Sequence, residues 1–236
     1  MKRLLFLFLV LACCTAVCQD LAGKTLTFPV ESNTAYVKLT PAVNKIFFTA
    51  TVCLRFFSDL SREQSLFSLS TPSHDNGLLL YKKPKGAYDL WVANQFITLL
   101  GLPDELNEWN SLCGTWDSGT GLGQLWVNGK RSARKALSAG GSIAGTPSII
   151  LGQEQDSYGG GFDKAQSFVG EITDVHMWDY VLHPHIIQGF MNYVSFTPGN
   201  VLSWRALEYT RQGYVVVEDS QIAVMGIYNT TTPYDF

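Results

Sequence analysis

Apolar and polar residues alternate with a period of two through most of this chain, the spacing of half-buried strands. Phe47 to Phe57 sets Phe48, Ala50, Val52, Leu54 and Phe56 on one face, with Thr49, Thr51, Cys53 and Arg55 on the other. Tyr88 to Val92 alternates in the same way. Gln124-Leu125-Trp126-Val127 runs into Asn128-Gly129, a hairpin signal, because both central positions of a type I′ turn need positive φ. Short strands with turn residues about every ten positions predict an all-β, two-sheet antiparallel sandwich. One segment departs from the pattern. Pro184 suits a first helical turn, and Ile186, Ile187, Phe190, Met191 and Val194 make a single apolar stripe, predicting one helix laid on a sheet. Beyond Gly213, Tyr214 to Val217 and Ile222 to Met225 read as strands whose register nothing fixes.

The first residues set the compartment. Lys2 and Arg3 precede an apolar core from Leu4 to Ala12, and small or polar residues follow up to Cys18. That pattern predicts a secretory signal peptide over residues 1–18, too short for a membrane span. No later stretch approaches the ~18 uninterrupted apolar residues a span requires. Removing Lys2 and Arg3 from the 17 basic residues leaves 15 against 20 acidic ones, a net charge of −5 that argues against nucleic acid as the main ligand. Cys13, Cys14 and Cys18 leave with the leader. Cys53 and Cys113 remain as an even pair in an oxidising compartment, which predicts one disulfide. Residues 19–236 read as a single domain with an extended tail from about 214, since no linker or repeat divides them. Asn229-Thr230-Thr231 is a sequon for an N-linked glycan.

The chemistry concentrates in residues 152–166. Glu154, Asp156 and Asp163 stand with several side-chain amides around Gly159-Gly160-Gly161, between the apolar runs Ser148–Leu151 and Ser167–Val169. Oxygen donors on a flexible loop between strands suit a hard cation, and calcium takes six to eight oxygens in loose geometry.

Residues 111 to 118, Ser-Leu-Cys-Gly-Thr-Trp-Asp-Ser, resemble the pentraxin motif His-x-Cys-x-Ser/Thr-Trp-x-Ser/Thr. Phe28–Ser32, Thr51–Leu54, Leu125–Lys130, Met177–Leu182 and Asn200–Leu207 match in the same order, so that residues 24 to 213 resemble short pentraxins of the C-reactive protein and serum amyloid P type. The resemblance implies a secreted jelly-roll, lectin-like sandwich that assembles into a homopentamer. It also implies two adjacent calcium ions per subunit. Carried over by position, their ligands are Asp75, Asn76, Glu154, the backbone carbonyl of Gln155, Asp156, Asp163 and Gln166, with Glu154 and Asp156 bridging both ions. Four carboxylates that close repel strongly without metal, and Asp75, Glu154, Asp156 and Asp163 balance two Ca2+.

Three departures are visible. Ser111 replaces the leading histidine of the motif, and Asp163 stands where relatives often carry glutamate. The phenylalanine that phosphocholine-binding members use corresponds to Tyr81, and their glutamate falls near Phe96, with no acid at Gln95 or Ile97. The ligand pocket is thus read as Tyr81, Trp91 and Phe96, with phosphocholine, phosphoethanolamine and acidic sugars on surfaces as ligand classes and complement components as further partners. The function implied is calcium-dependent pattern recognition in innate immunity and the acute phase. A structural pentraxin whose calcium only stabilises the fold is the alternative. Lectin-fold glycoside hydrolases use Glu-x-Asp-x-x-Glu; here the third acid is Gly159, so the carboxylate pair of retaining hydrolysis is incomplete and no enzyme is expected.

Overall fold

The computed structural model describes residues 18–221. The leader ahead of Cys18, the strand expected at 222–225 and the sequon at Asn229 lie outside them. Fifteen strands and one helix follow in chain order: β1 (Lys24–Phe28), β2 (Tyr36–Thr40), β3 (Thr49–Phe57), β4 (Gln64–Thr71), β5 (His74–Lys83), β6 (Ala87–Val92), β7 (Gln95–Leu99) and β8 (Asn110–Asp117). The second half supplies β9 (Leu122–Val127), β10 (Lys130–Arg131), β11 (Lys135–Ala136), β12 (Ser148–Leu151), β13 (Gly170–Trp178), α1 (Pro184–Met191), β14 (Glu208–Gln212) and β15 (Val216–Asp219).

The strands pair antiparallel in two sheets. One runs β10-β9-β8-β3-β13-β1-β15, with β11 also on β9; the other runs β14-β2-β12-β4-β5-β6-β7. Their facing sides bury Leu26, Val52, Leu54, Leu80, Leu90 and Leu151 with many others in one core. A second, smaller cluster holds Cys53, Cys113, Trp178, Ile187 and Phe190, where α1 covers the outer side of the first sheet. The architecture is the expected jelly-roll sandwich with a helix on one face. Asn128 and Gly129 form the expected two-residue turn, both at positive φ, between β9 and β10. Cys53 and Cys113 are direct cross-strand partners on β3 and β8, bonded with Cα atoms 4.1 Å apart.

Three local expectations need correction. Phe48 is 58% exposed, because Phe47 bridges to Ile143 and turns into the core; the chain bends at Phe48, and β3 begins only at Thr49. Val194 is 57% exposed and off the helix, because α1 ends at Met191 and positive φ at Tyr193 reverses the chain. The tail strand starts at Val216 rather than Tyr214, and pairing with β1 fixes the register the sequence left open.

A packed cation joins the helix to the sheet beneath it. An irregularity in β13 between Thr173 and His176, with Asp174 at positive φ, brings Asp174 Oδ2 to 2.8 Å from Arg55 Nε. Arg55 also donates to Ser111 Oγ and to the Phe190 carbonyl. Ser111, which replaces the motif histidine, thus serves packing between β8, β3 and α1.

Candidate metal and ligand site

The 152–166 loop is held by its uncharged residues. Gly152 has φ +91°, and a Cβ there would lie 2.3 Å from Phe28 Cε1, so only glycine fits this corner. The Gln153 amide is buried and donates to the carbonyls of Ser32 (2.6 Å) and Ala35 (2.8 Å). Gln155 is buried too. Its Nε2 donates to the Ser68 and Ser148 carbonyls, both at 3.0 Å, while Oε1 accepts from Ser70 Oγ and the Gly159 N–H. With its side chain committed, Gln155 has only backbone to offer an ion. Ser157 and Gly160 exchange two backbone hydrogen bonds at the tip, and Asp163 then caps a 3-10 turn over Lys164–Gln166. Arg62 braces the returning limb by donating to the carbonyls of Ala165 (3.0 Å) and Ser167 (2.8 Å).

Between these two anchored glutamines, Glu154 enters a groove of about 290 Å3 on the outer side of the second sheet. Asn76, Tyr81, Trp91, Phe96, Asp156 and Gln166 share that groove. The α1 side of the first sheet is the opposite surface of the sandwich.

The polar atoms of the groove are short of donors. Asn76 Oδ1, Glu154 Oε2 and Gln166 Oε1 are all buried without a hydrogen-bond partner. Buried acceptors are almost always satisfied in folded proteins, so three unsatisfied ones lining one groove call for an electropositive occupant. Glu154 is 3% exposed, and burial pushes its carboxyl up to about 7. The charge of Asp156 adds to that rise, Asp75 contributes less, and the nearby Asn76 amide opposes it. Among the described residues no three carboxylate, histidine or cysteine side chains converge as a ligand set. The donor set is instead mixed, carboxylate and amide oxygens together, as calcium accepts. Asp75 is exposed, and its field reaches Glu154. Asp163 is exposed as well, with Oδ1 accepting from the Ala165 N–H at 2.9 Å.

Beyond the oxygens, the groove becomes aromatic. Trp91 and Phe96 stack with centroids 4.4 Å apart, and Phe96 is 52% exposed. Tyr81 is 7% exposed and donates to Glu63 Oε2 at 3.4 Å; burial and the charges of Glu63 and Glu154 push its phenol up, so it remains a donor. Lys83 sits between Asp89 (3.3 Å) and Glu63 (3.7 Å). Sequence reasoning missed Glu63, Lys83 and Asp89. The signal was available in part: Lys83 follows Tyr81 by two on β5, and Asp89 is the cross-strand partner of Tyr81.

Comparison with known proteins places the fold. The model of the Pentaxin family matches residues 24–219. The chain belongs to the pentraxin family. Serum amyloid P-component of Rattus norvegicus is 50% identical over 200 residues, covering 84% of this chain and 86% of the relative. Mucosal pentraxin of Mus musculus is 42% identical over 199 residues, covering 84% and 88%. Among solved structures, a native heptameric SAP-like pentraxin from Limulus polyphemus superposes with TM-score 0.76 at 25% identity, covering 86% of this chain and 98% of its own.

Proposed function

We propose that this pentraxin is a secreted, calcium-dependent pattern-recognition protein of innate immunity that holds phosphate-bearing or acidic-saccharide ligands in the groove over β5, β6 and β7. The observation that carries the reading is the set of three buried, unpartnered oxygens of Asn76, Glu154 and Gln166 around one groove. Two calcium ions would be held by Asp75, Asn76, Glu154, the Gln155 carbonyl, Asp156, Asp163 and Gln166. Bound calcium supplies an electrophilic platform for anionic oxygen, because the protein leaves part of the coordination shell to the ligand.

The chain's own residues shape what reaches that platform. Tyr81 gives its proton to Glu63 on the groove wall, and the Trp91–Phe96 stack offers an apolar face to the body of the ligand. Lys83 is balanced by Asp89 and Glu63, so the wall adds no free cation. Phosphoethanolamine, phosphocholine and acidic sugars are the ligand classes proposed, and with Asp89 and Glu63 both paired to Lys83 no unpaired carboxylate of the wall favours a quaternary ammonium. Recognition rather than catalysis is proposed: position 159, where a hydrolase of this fold carries its third acid, is a glycine at φ +78°.

Family membership supports oligomeric assembly, and the heptameric relative is a precedent for it. We read this chain as a cyclic pentamer whose repeated sites raise avidity for dense arrays. Complement components would then dock on the assembled ring. Among the described residues no helix is long and apolar enough to cross a membrane.

The test is capture of the secreted protein on beads bearing phosphoethanolamine, phosphocholine or acidic saccharide, in calcium and in chelator. Calcium-dependent capture that Glu154→Gln abolishes supports the proposal. If calcium raises the melting temperature and no bead captures the protein, the structural alternative replaces it.

A further inference from the structure

A second cavity, of about 480 Å3, lies where the chain leaving α1 crosses β13 and the start of β1. It is separate from the groove and differs from it chemically. The groove has acceptors without donors, whereas here the unmatched groups are donors.

Arg55 and Asp174 form one wall and neutralise each other at 2.8 Å. The Arg55 guanidinium is otherwise committed to Ser111 Oγ and the Phe190 carbonyl, and lies 3.7 Å from the centroid of the Tyr193 ring. It has little left for a ligand. His176 is buried, and its Nδ1 accepts from the Gly199 N–H at 3.3 Å, so in the neutral ring the proton sits on Nε2. Burial, opposed by Asp174, holds this imidazole down at about 4, so it is neutral at physiological pH.

Two groups remain unmatched. Trp204 is 1% exposed, and its Nε1–H is buried with no hydrogen-bond partner. A buried donor left without an acceptor is costly, so its persistence points to an acceptor from outside the chain. Arg205, next in sequence, lines the same cavity, is exposed, and enters no hydrogen bond or ion pair among the described residues. With Arg55 and Asp174 cancelling, Arg205 leaves the cavity one positive charge. The rings of Tyr193, Phe196 and Trp204 supply apolar walls, and the volume is within the roughly 300–1,000 Å3 of small-molecule sites.

We propose that this cavity binds a small aromatic carboxylate, its oxygens held by Arg205 and the Trp204 Nε1–H and its ring laid against Tyr193 and Phe196. A monoanion matches the single unbalanced cation. A phosphate dianion would bring a second negative charge beside Asp174, and a cationic ligand would find the one carboxylate already paired.

The experiment uses the intact secreted oligomer in chelator, so that the calcium groove takes no part. Phenylacetate is titrated against its neutral analogue phenylacetamide by saturation-transfer NMR and calorimetry. Phenylacetate is expected to bind at least tenfold more tightly than the amide. Arg205→Gln should weaken it about tenfold with oligomeric state and melting temperature kept, and Trp204→Phe severalfold with oligomeric state kept; Glu154→Gln should leave it unchanged. Three results would overturn the proposal: no binding at millimolar phenylacetate, equal binding of acid and amide, or indifference to either cavity variant. Loss of binding in Glu154→Gln would also overturn it, by moving the ligand to the groove.

Discussion

The backbone N–H of Phe168 donates to the Gly152 carbonyl at 3.0 Å, so the candidate ion loop leaves and rejoins the sandwich at one point. Between them Gln153, Gln155 and Arg62 tie the two limbs down, and only the tip stands clear of the sandwich. Gly152 is the most constrained position of that junction, through its positive φ and its contact with Phe28. Gly152→Val is therefore expected to destabilise the fold by about 2–4 kcal/mol through strain and overpacking. Chemical denaturation measures the loss, and a variant within ~0.5 kcal/mol of wild type would contradict the close packing described here.

Glu154→Gln keeps the shape of the side chain and removes its charge. Calcium affinity is expected to fall at least tenfold by calorimetry, as one carboxylate leaves the donor set. Limited proteolysis gives a second readout. Calcium should protect residues 152–166 of the wild type against cleavage and protect the variant little. Equal protection in both proteins would remove Glu154 from the ligand set.

Much of this architecture was legible in the chain. The Asn128-Gly129 turn, the Cys53–Cys113 pair and the faces of β3 from Ala50 to Phe56 follow from local chemistry, and the structure bears them out. Phe48 and Val194 misled because periodicity continues on paper past points where a bend or a positive φ reverses the chain. The groove's aromatic positions were readable, whereas its missing donors were not. An oxygen becomes unsatisfied only through what the fold places, or fails to place, beside it, and Asn76 and Gln166 are 90 residues apart in sequence. The Trp204 cavity was hidden for the same reason. Its walls come from β3, β13, the segment after α1 and the residues leading into β1.

In chelator, Glu154 and His176 should oppose each other across one pH window. Glu154 holds its proton more tightly when folded, at about 7 against 4.5, so its contribution to stability is full below about pH 4.5 and lost as pH rises through 7. His176 titrates at about 4 when folded against 6.5, so its contribution is present above about pH 6.5 and lost as pH falls through 4. The two trends run in opposite directions over the pH range they share. The metal-free wild type should show a shallow stability profile from pH 4 to 6.5, while Glu154→Gln should gain stability steeply with pH. Urea unfolding at successive pH values compares them, and parallel profiles would refute the opposition.

Asp163→Glu adds one methylene to a residue whose Oδ1 now caps the Ala165 N–H. The longer side chain should raise calcium affinity severalfold while weakening the cap by about 0.5–1 kcal/mol. Calorimetry and metal-free melting would report these separately. A variant with unchanged affinity would exclude residue 163 from the ion shell.

Replacing Cys53 and Cys113 together by alanine opens a link spanning 60 residues beneath α1. The loss expected from chain entropy is about 4 kcal/mol, an upper figure because the unfolded chain retains some order. Denaturation of the double variant should show it without loss of calcium binding, since the bridge and the groove lie on opposite surfaces.

Gln153 and Gln155 fasten the loop through amides that neither titrate nor attract counterions. The acidic groups between and beyond them can therefore gain or lose protons and ions while their footing stays indifferent to pH and salt. A change of charge at the tip then leaves those anchors in place, so the loop keeps its footing on β4 and β12 while its grip on an ion alters.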